Sequence, residues 1–430
     1  MSRTRIDQSC DGDRMRPRGR SAVESAAKQT AADEAFLRRL AGLCGIGVIA
    51  GMSFALPGTA HAQSNTFIDE MQNLFTSACN TTGSGSPDCA GAGPASAGQV
   101  EVQNEGLSQR IIEQRLRELQ CPPDADATAN PVCGGKQGGA SADTTSYEGL
   151  SLFVSGDYEN KDKDNTAFET GFDSNKAGLT VGMDGRLGTD GVIGGAVSYG
   201  HTWGDFDNNG GDFNLDSIGA LLYGSFYPSD QSFIDATVGV AGKDYTINRG
   251  FSRIGGGAGA PPITPAKGDT TGIEFNSSLS GGYDFSFDAL TIGPRAGLNY
   301  KRTEYGSFTE HGSVLSLHYE DQVEDSLTAT IGGQASYAIS TDFGVVVPQV
   351  SAEYVHEFLN DQQTIHAVSA ADGTPVNYLT DEPDRNYANV GAGVVFVLPN
   401  GVSPFLNYQA EVANSLETVQ TVTLGVRLEL

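Results

Sequence analysis

Two histidine-centred groups mark the places where this chain could do acid–base chemistry. His201 lies close in sequence to Asp205 and Asp207, and His311 stands beside Glu310 and shortly before His318. An imidazole within reach of a carboxylate is a common general-base arrangement. Hydrolysis would also need a nucleophile or a metal-held water. The chain has no Gly-x-Ser-x-Gly elbow and no His-Glu-x-x-His zinc pair. Solvated loop residues are therefore the expected reading of both groups, and neither catalysis nor a cofactor or metal is expected.

The cysteines suggest a different chemistry. Cys10 and Cys44 fall in a basic, apolar N-terminal region, which leaves Cys79, Cys89, Cys121 and Cys133, all placed before a glycine-rich C-terminal part. Neither spacing is the short Cys-x-x-Cys of zinc sites, so disulfides are expected. The local pairs Cys79 with Cys89 and Cys121 with Cys133 are preferred among three possible connectivities. Disulfides imply an exported chain, and the N-terminus agrees. Basic residues through Arg39 precede an apolar run from Leu40 to Leu56, and an Ala-x-Ala site follows, predicting a signal peptide over 1–62 cleaved between Ala62 and Gln63. Removing the nine basic and six acidic side chains of residues 1–62 moves the formal charge from −27 to −30. So acidic a chain has no general affinity for nucleic acid.

The elements that would carry these residues change character along the chain. In residues 63–147, Phe67, Met71, Leu74 and Phe75, and later Leu107, Ile111, Leu116 and Leu119, recur at helical spacing. Two short helices are predicted, joined by a Gly- and Ser-rich stretch. The second carries Arg110, Arg115 and Arg117, which suit it either to plugging an acidic lumen or to standing solvated while its Leu and Ile pack on the neighbouring helix. From residue 148 the period becomes two. Leu179, Val181 and Met183 alternate with Thr180, Gly182 and Asp184, and Ile292, Pro294, Ala296, Leu298 and Tyr300 alternate with Arg295, Asn299 and Lys301.

Twelve such segments can be read, near 149–159, 176–188, 192–204, 213–227, 231–247, 270–285, 289–303, 324–340, 343–358, 386–398, 402–412 and 420–430. Their connections alternate between short turns and long polar loops. A soluble sandwich gives no reason for that alternation, whereas a membrane barrel has short turns on one side and long loops on the other. The predicted fold is an all-β antiparallel transmembrane barrel of about 12 strands, domain 148–430. Its apolar rows would face lipid. Asp184, Arg186, Arg295, Lys301, Glu353, Arg427 and Glu429 would face the lumen, and Tyr199, Tyr223, Tyr227, Tyr283, Tyr300, Tyr337, Tyr354 and Tyr408 are candidates for interfacial girdles.

The strands Gly194–Gly200, Ile292–Tyr300 and Val347–Phe358, together with the terminal Thr423–Leu430, resemble the C-terminal translocator domain of the autotransporter family of Gram-negative outer-membrane proteins, over about residues 145–430. The resemblance implies an outer-membrane barrel that anchors its own N-terminal segment and carries it to the cell surface, with a helical segment in the pore. Its implied partners are outer-membrane lipid, the Sec translocon during export and the barrel assembly machinery. The assembly signal maps to Val422, Leu424, Val426, Leu428 and Leu430. Two features depart from the family pattern: the terminal residue is Leu430 rather than an aromatic, and no long β-helical passenger precedes the barrel. A porin-like channel and an outer-membrane hydrolase are the alternative readings.

The terminal apolar row makes a first prediction. Leu430→Asp is expected to lower the amount of protein in outer-membrane fractions, and Leu430→Phe to leave it unchanged or raise it. An Asp variant that accumulates normally would remove the terminus from the assembly signal.

Overall fold

A computed structural model describes residues 149–188, 190–251 and 264–430. The predicted signal peptide with Ala62 and Gln63, the two helices with Arg110, Arg115 and Arg117, and all six cysteines lie outside the described residues.

The strands are β1 (Leu150–Lys163), β2 (Phe172–Arg186), β3 (Gly191–Phe206), β4 (Gly211–Ser229), β5 (Ser232–Arg249), β6 (Ala266–Tyr283), β7 (Phe285–Phe287), β8 (Leu290–Tyr305), β9 (Phe308–Thr309), β10 (Leu317–Tyr319), β11 (Gln322–Tyr337), β12 (Ile339–Thr341), β13 (Gly344–Glu357), β14 (Thr364–Ser369), β15 (Pro375–Leu379), β16 (Asn386–Val397), β17 (Val402–Val412) and β18 (Glu417–Glu429). The main sheet has 14 strands, of which β7 and β12 are three-residue hairpin tips continuing β6 and β11. Twelve long strands remain, each antiparallel to its neighbours, and the pairing of β18 with β1 closes the ring. The register runs without a break from Ser151 opposite Glu429 to Lys163 opposite Glu417. Among the described residues the one helical element is the short turn Asp207–Asn209.

Short turns gather at one rim. There, Pro399, Asn400 and Gly401 turn the chain between the bridged Leu398 and Val402, with Asn400 and Gly401 in left-handed backbone at φ of 69° and 72°. Leu430 donates its backbone N–H to Leu150 O at 3.0 Å at the same rim, so both ends of the barrel sequence lie on the side of the short turns.

The faces sort by polarity. On β18, Val422, Leu424 and Leu428 are exposed while Thr421, Thr423 and Arg427 are buried. On β4 the outward row from Ile218 through Leu222 to Phe226 is apolar. Nine residues at ~3.4 Å each, tilted by ~40°, cover roughly the ~25 Å apolar band of an outer-membrane barrel. Girdle residues bound the band. At its outer edge the hydroxyls of Tyr158, Tyr199, Tyr300, Tyr354 and Tyr408 donate to Asn175, Asp216, Asp325, Asn386 and Gln420, in each case on the next barrel strand. The inner edge carries Phe226, Tyr283, Phe285, Tyr337 and Phe343. Tyr223 and Tyr227 depart from the expected girdle. They share the parity of Leu221 and Ser225, and Tyr223 is buried in the lumen with its hydroxyl donating to Asp184 at 3.0 Å.

Nine of the twelve long strands run two to four residues beyond their predicted outer ends, and the two faces exchange polarity there. Phe172, Phe206, Phe213, Tyr245 and Tyr305 point inward and are buried, while Asp173, Asp205, Asp212, Asp244 and Glu304 point outward. Water replaces lipid outside the wall at this height, so the apolar side turns in. Opposed aspartates follow one another around this rim, Asp162 to Asp173, Asp173 to Asp205 and Asp205 to Asp212.

Two inward glycines are fixed by neighbouring aromatics. A side chain at Gly425 on β18 would overlap the ring of Phe405, and one at Gly194 would overlap Tyr223. Each ring lies across the cross-strand backbone at a point where only glycine leaves room. Gly425→Val is accordingly expected to destabilise the barrel by about 1–3 kcal/mol through overpacking. The folded form on a semi-native gel should convert at a lower temperature than wild type, and an unchanged transition would disprove the contact's role.

Candidate functional site

The lumen is the concave feature these strands enclose, and its wall carries both signs of charge. Asp184, Lys301 and Arg427 are buried there. Arg186 and Glu353 occupy inward register positions and are partly buried. Arg295 lies over the ring of Phe233 at 4.6 Å and pairs with Asp284 at 3.5 Å. Glu429 differs from the other predicted lumen residues. It stands at the inner mouth, half exposed, and meets Arg427 at 2.7 Å across one alternation of the strand. Higher in the lumen, Lys161 pairs with Glu417 at 2.6 Å and Lys243 with Glu274 at 3.0 Å, all four side chains being almost inaccessible. Buried ions persist only with such partners, because desolvation costs several kcal/mol per charge.

The lower lumen also holds an apolar patch of Phe153, Val192, Ala196, Leu221 and Tyr223 on the β1–β4 wall. The charged interior is therefore interrupted on one side by packed rings, with Phe153 and Tyr223 edge to face at 6.5 Å.

The two long loops read as polar from the sequence are structured instead. The β8–β11 connection contributes β9 and β10, the β13–β16 connection contributes β14 and β15, and the four pair in the order β15-β14-β10-β9. One face of this small sheet presents Phe308, Leu317, Tyr319, Ile365, Ala367, Val376 and Tyr378, which join the inward aromatics of β2–β5 and β8 in one buried cluster. In the ring, β13 and β16 lie opposite β3 and β4. Residues rooted on one wall thus pack against the far wall, across the outer mouth.

Two buried ionic contacts tie the sheet's connections to the rim. Arg249 at the end of β5 donates Nε to Glu310 Oε1 at 2.8 Å and Nη2 to Glu310 Oε2 at 2.5 Å, with neither side chain accessible. Glu310 also accepts from the Leu317 backbone at 2.9 Å. At the end of β1, Lys163 Nζ meets Glu169 at 2.9 Å and Asp381 at 2.6 Å, while Thr166 donates to Asp381 at 2.5 Å. Here one cation faces two carboxylates. Burial pushes the Glu169 carboxyl up, Lys163 pulls it back, and Asp381 raises it again, to about 7. Lys163 keeps its proton: burial opposes its charge, but the two carboxylates outweigh burial and raise it.

The histidine sets do not assemble. His201 Nδ1 lies 2.9 Å from Asp216 Oδ1 and stacks on Trp203, facing outward beside the girdle. The carboxylate of Glu310 is taken by Arg249, and His318 bonds Thr309 at 2.7 Å. Among the described residues no three His, Cys, Asp or Glu side chains are placed to hold a metal ion.

No motif in the sequence marks Lys163, Glu169, Asp381 or Arg249 as functional. A signal was present, since Ile365 and Ala367, then Val376 and Tyr378, alternate with polar residues inside stretches marked as loops.

Because Glu169 has a raised value in the docked arrangement, its contribution is full below the ordinary carboxylate range near 4.5 and is lost as pH rises through about 7. Glu169→Gln removes the titrating charge. Compared at the same pH by amide hydrogen exchange, the variant is expected to protect β14 more than wild type at pH 8 and about equally at pH 4. Equal protection at both would disprove the linkage.

The family pattern described as "Autotransporter beta-domain" matches residues 152–409. Among curated proteins, an extracellular serine protease of Serratia marcescens is 27% identical over 194 residues, 44% of this chain but 17% of the protease, so the chain spans only a small part of that relative. Among solved structures, the translocator domain of autotransporter NalP from Neisseria meningitidis superposes with a TM-score of 0.51 at 15% identity, covering 71% of this chain and all (100%) of that domain. The beta domain of the Bordetella autotransporter BrkA gives a TM-score of 0.51 at 16% identity, covering 66% of this chain and 100% of the other. These identities speak to the fold. The twelve-strand ring and the match along most of its length lead to one assignment: the chain belongs to the autotransporter family and carries that family's outer-membrane β-domain.

Proposed function

We propose that the barrel anchors its own N-terminal segment, residues 63–147, in the outer membrane and that its lumen is the segment's conduit, without a cofactor and without making or breaking bonds. The observation that carries this reading is where β1 begins. Gly149 accepts from the Arg186 backbone at 3.2 Å at the short-turn rim, so the chain leading into the barrel arrives at the inner mouth of the lumen. Arg110, Arg115 and Arg117 give that chain a charge complementary to the carboxylates on the wall, Asp184 and Glu353 among them. The Serratia relative is named for an extracellular protease, and a barrel that handles the part of the chain preceding it fits that name.

In this reading the signal peptide ends at Ala62, and the Sec translocon delivers the chain to the periplasm. The assembly machinery then engages the outward row from Val422 to Leu430, and outer-membrane lipid covers the apolar band. The cysteine pairs Cys79 with Cys89 and Cys121 with Cys133 close loops within the conducted segment. A porin-like channel is the weaker reading, because apolar side chains from both walls meet across the outer mouth.

A photo-crosslinking amino acid at position 115, activated in intact cells, tests the conduit. Cross-links to peptides of the barrel wall such as 172–186 are expected. Cross-links found only to other proteins would reject the lumen as the segment's path.

A further inference from the structure

The outer mouth carries an inference beyond the anchoring role, and it rests on the reading of the lumen as a conduit. We propose that the sheet of β9, β10, β14 and β15 is a lid that shuts the conduit to the outside in the finished barrel, so that a segment still joined to β1 is held on its inner side rather than displayed. Three observations carry this. First, the sheet's apolar face and the inward rings of the opposite wall form one buried cluster, with Ile247 and Tyr319 wholly inaccessible (both 0% exposed). A loop resting loosely on the mouth would leave such side chains in water, where their apolar surface is unfavourable.

Second, the lid is anchored on several sides. Arg249 with Glu310 ties the β8–β11 connection to β5, and Lys163 with Asp381 ties the β13–β16 connection to β1. The two connections are joined to each other by Glu320 N donating to His366 O at 3.1 Å and Ala370 N donating to Ser316 O at 2.9 Å. Third, the strand ends are built for a lid. The exchange of polarity at the outer rim supplies an apolar inner surface where an open pore would present polar groups to water. An attached chain that begins at the inner rim cannot stand outside through a mouth filled in this way. Any part of it that reaches the surface must pass before the lid docks.

The test uses the full chain in intact cells. Thr303 faces inward on β8, two residues below Tyr305, and is 0% exposed. Thr303→Cys is treated from outside with a membrane-impermeant maleimide, against the parent chain as background and against Thr364→Cys, an exposed lid position, as the labelled reference. The expected result is labelling at least about tenfold slower than the reference. Rapid labelling is expected once residues 362–381 are replaced by a short turn, in a variant shown by heat-modifiable migration to be folded. If that variant does not fold, Glu310→Gln with Asp381→Asn, which loosens both contacts, takes its place. Fast labelling of Thr303→Cys with the lid intact would overturn the proposal. Slow labelling that persists after the lid is removed or loosened would also overturn it, because something other than the lid would then protect the site. Either failure is separate from the outcome at position 115, which reports whether the segment occupies the lumen at all.

Discussion

Lipid offers a peptide group no hydrogen-bond partner, and the rest of this structure follows from that. A strand can cross the apolar band only if both of its edges are paired, so the sheet must end where it began. The closure of β18 on β1 along an unbroken register meets that condition. The strands' parity then divides every side chain between lipid and lumen, and the outer girdle tyrosines, each bonded to its neighbour strand, mark where the demand ceases. Above that line the backbone remains paired but the side chains no longer face lipid. The exchange of polarity there frees the strand ends to build a core of their own.

The charged lumen and the apolar closure solve the same problem by different means. Inside the wall, polar residues are kept by pairing Lys243 with Glu274 and, nearer the outer end of β1, Lys161 with Glu417. At the outer end, rings exclude water, and the two ionic contacts that remain are correspondingly dry. Such pairs add little net stability but are costly to break from one side, by about 3–5 kcal/mol. They fix which residue sits where. The cluster supplies the attraction, and Arg249, Glu310, Lys163 and Asp381 supply its position.

The barrel was legible in the sequence because the apolar band imposes one rule on every strand. Leu179, Val181 and Met183 or Val422, Leu424 and Leu428 announce it without any knowledge of their partners. The outer ends of the strands were not legible by the same rule, since Phe172 and Tyr305 sit on the parity that is polar lower down. A search for apolar residues on a constant face stops where the solvent changes. Tyr223 was misplaced for a related reason: strand propensity brings tyrosine to either face, and only the register assigned it to Asp184. The lid strands were missed because they are short and separated by Gly, Asp and Pro, so their alternation was too brief to outweigh the loop signals around it. The pairing of Lys163 with Asp381 could not be seen at all, being a contact between residues more than two hundred positions apart.

The closure of β18 on β1 has a kinetic meaning as well. Each hairpin between sequence neighbours closes a far shorter loop, whereas this seam joins the two most distant strands of the sheet, and its chain entropy must be overcome before any of its bonds exist. Until then two complete strand edges stand open, each a template for any other strand that meets it. The seam is therefore the pairing with the longest loop to close, and until it forms it leaves the edges most open to a wrong partner.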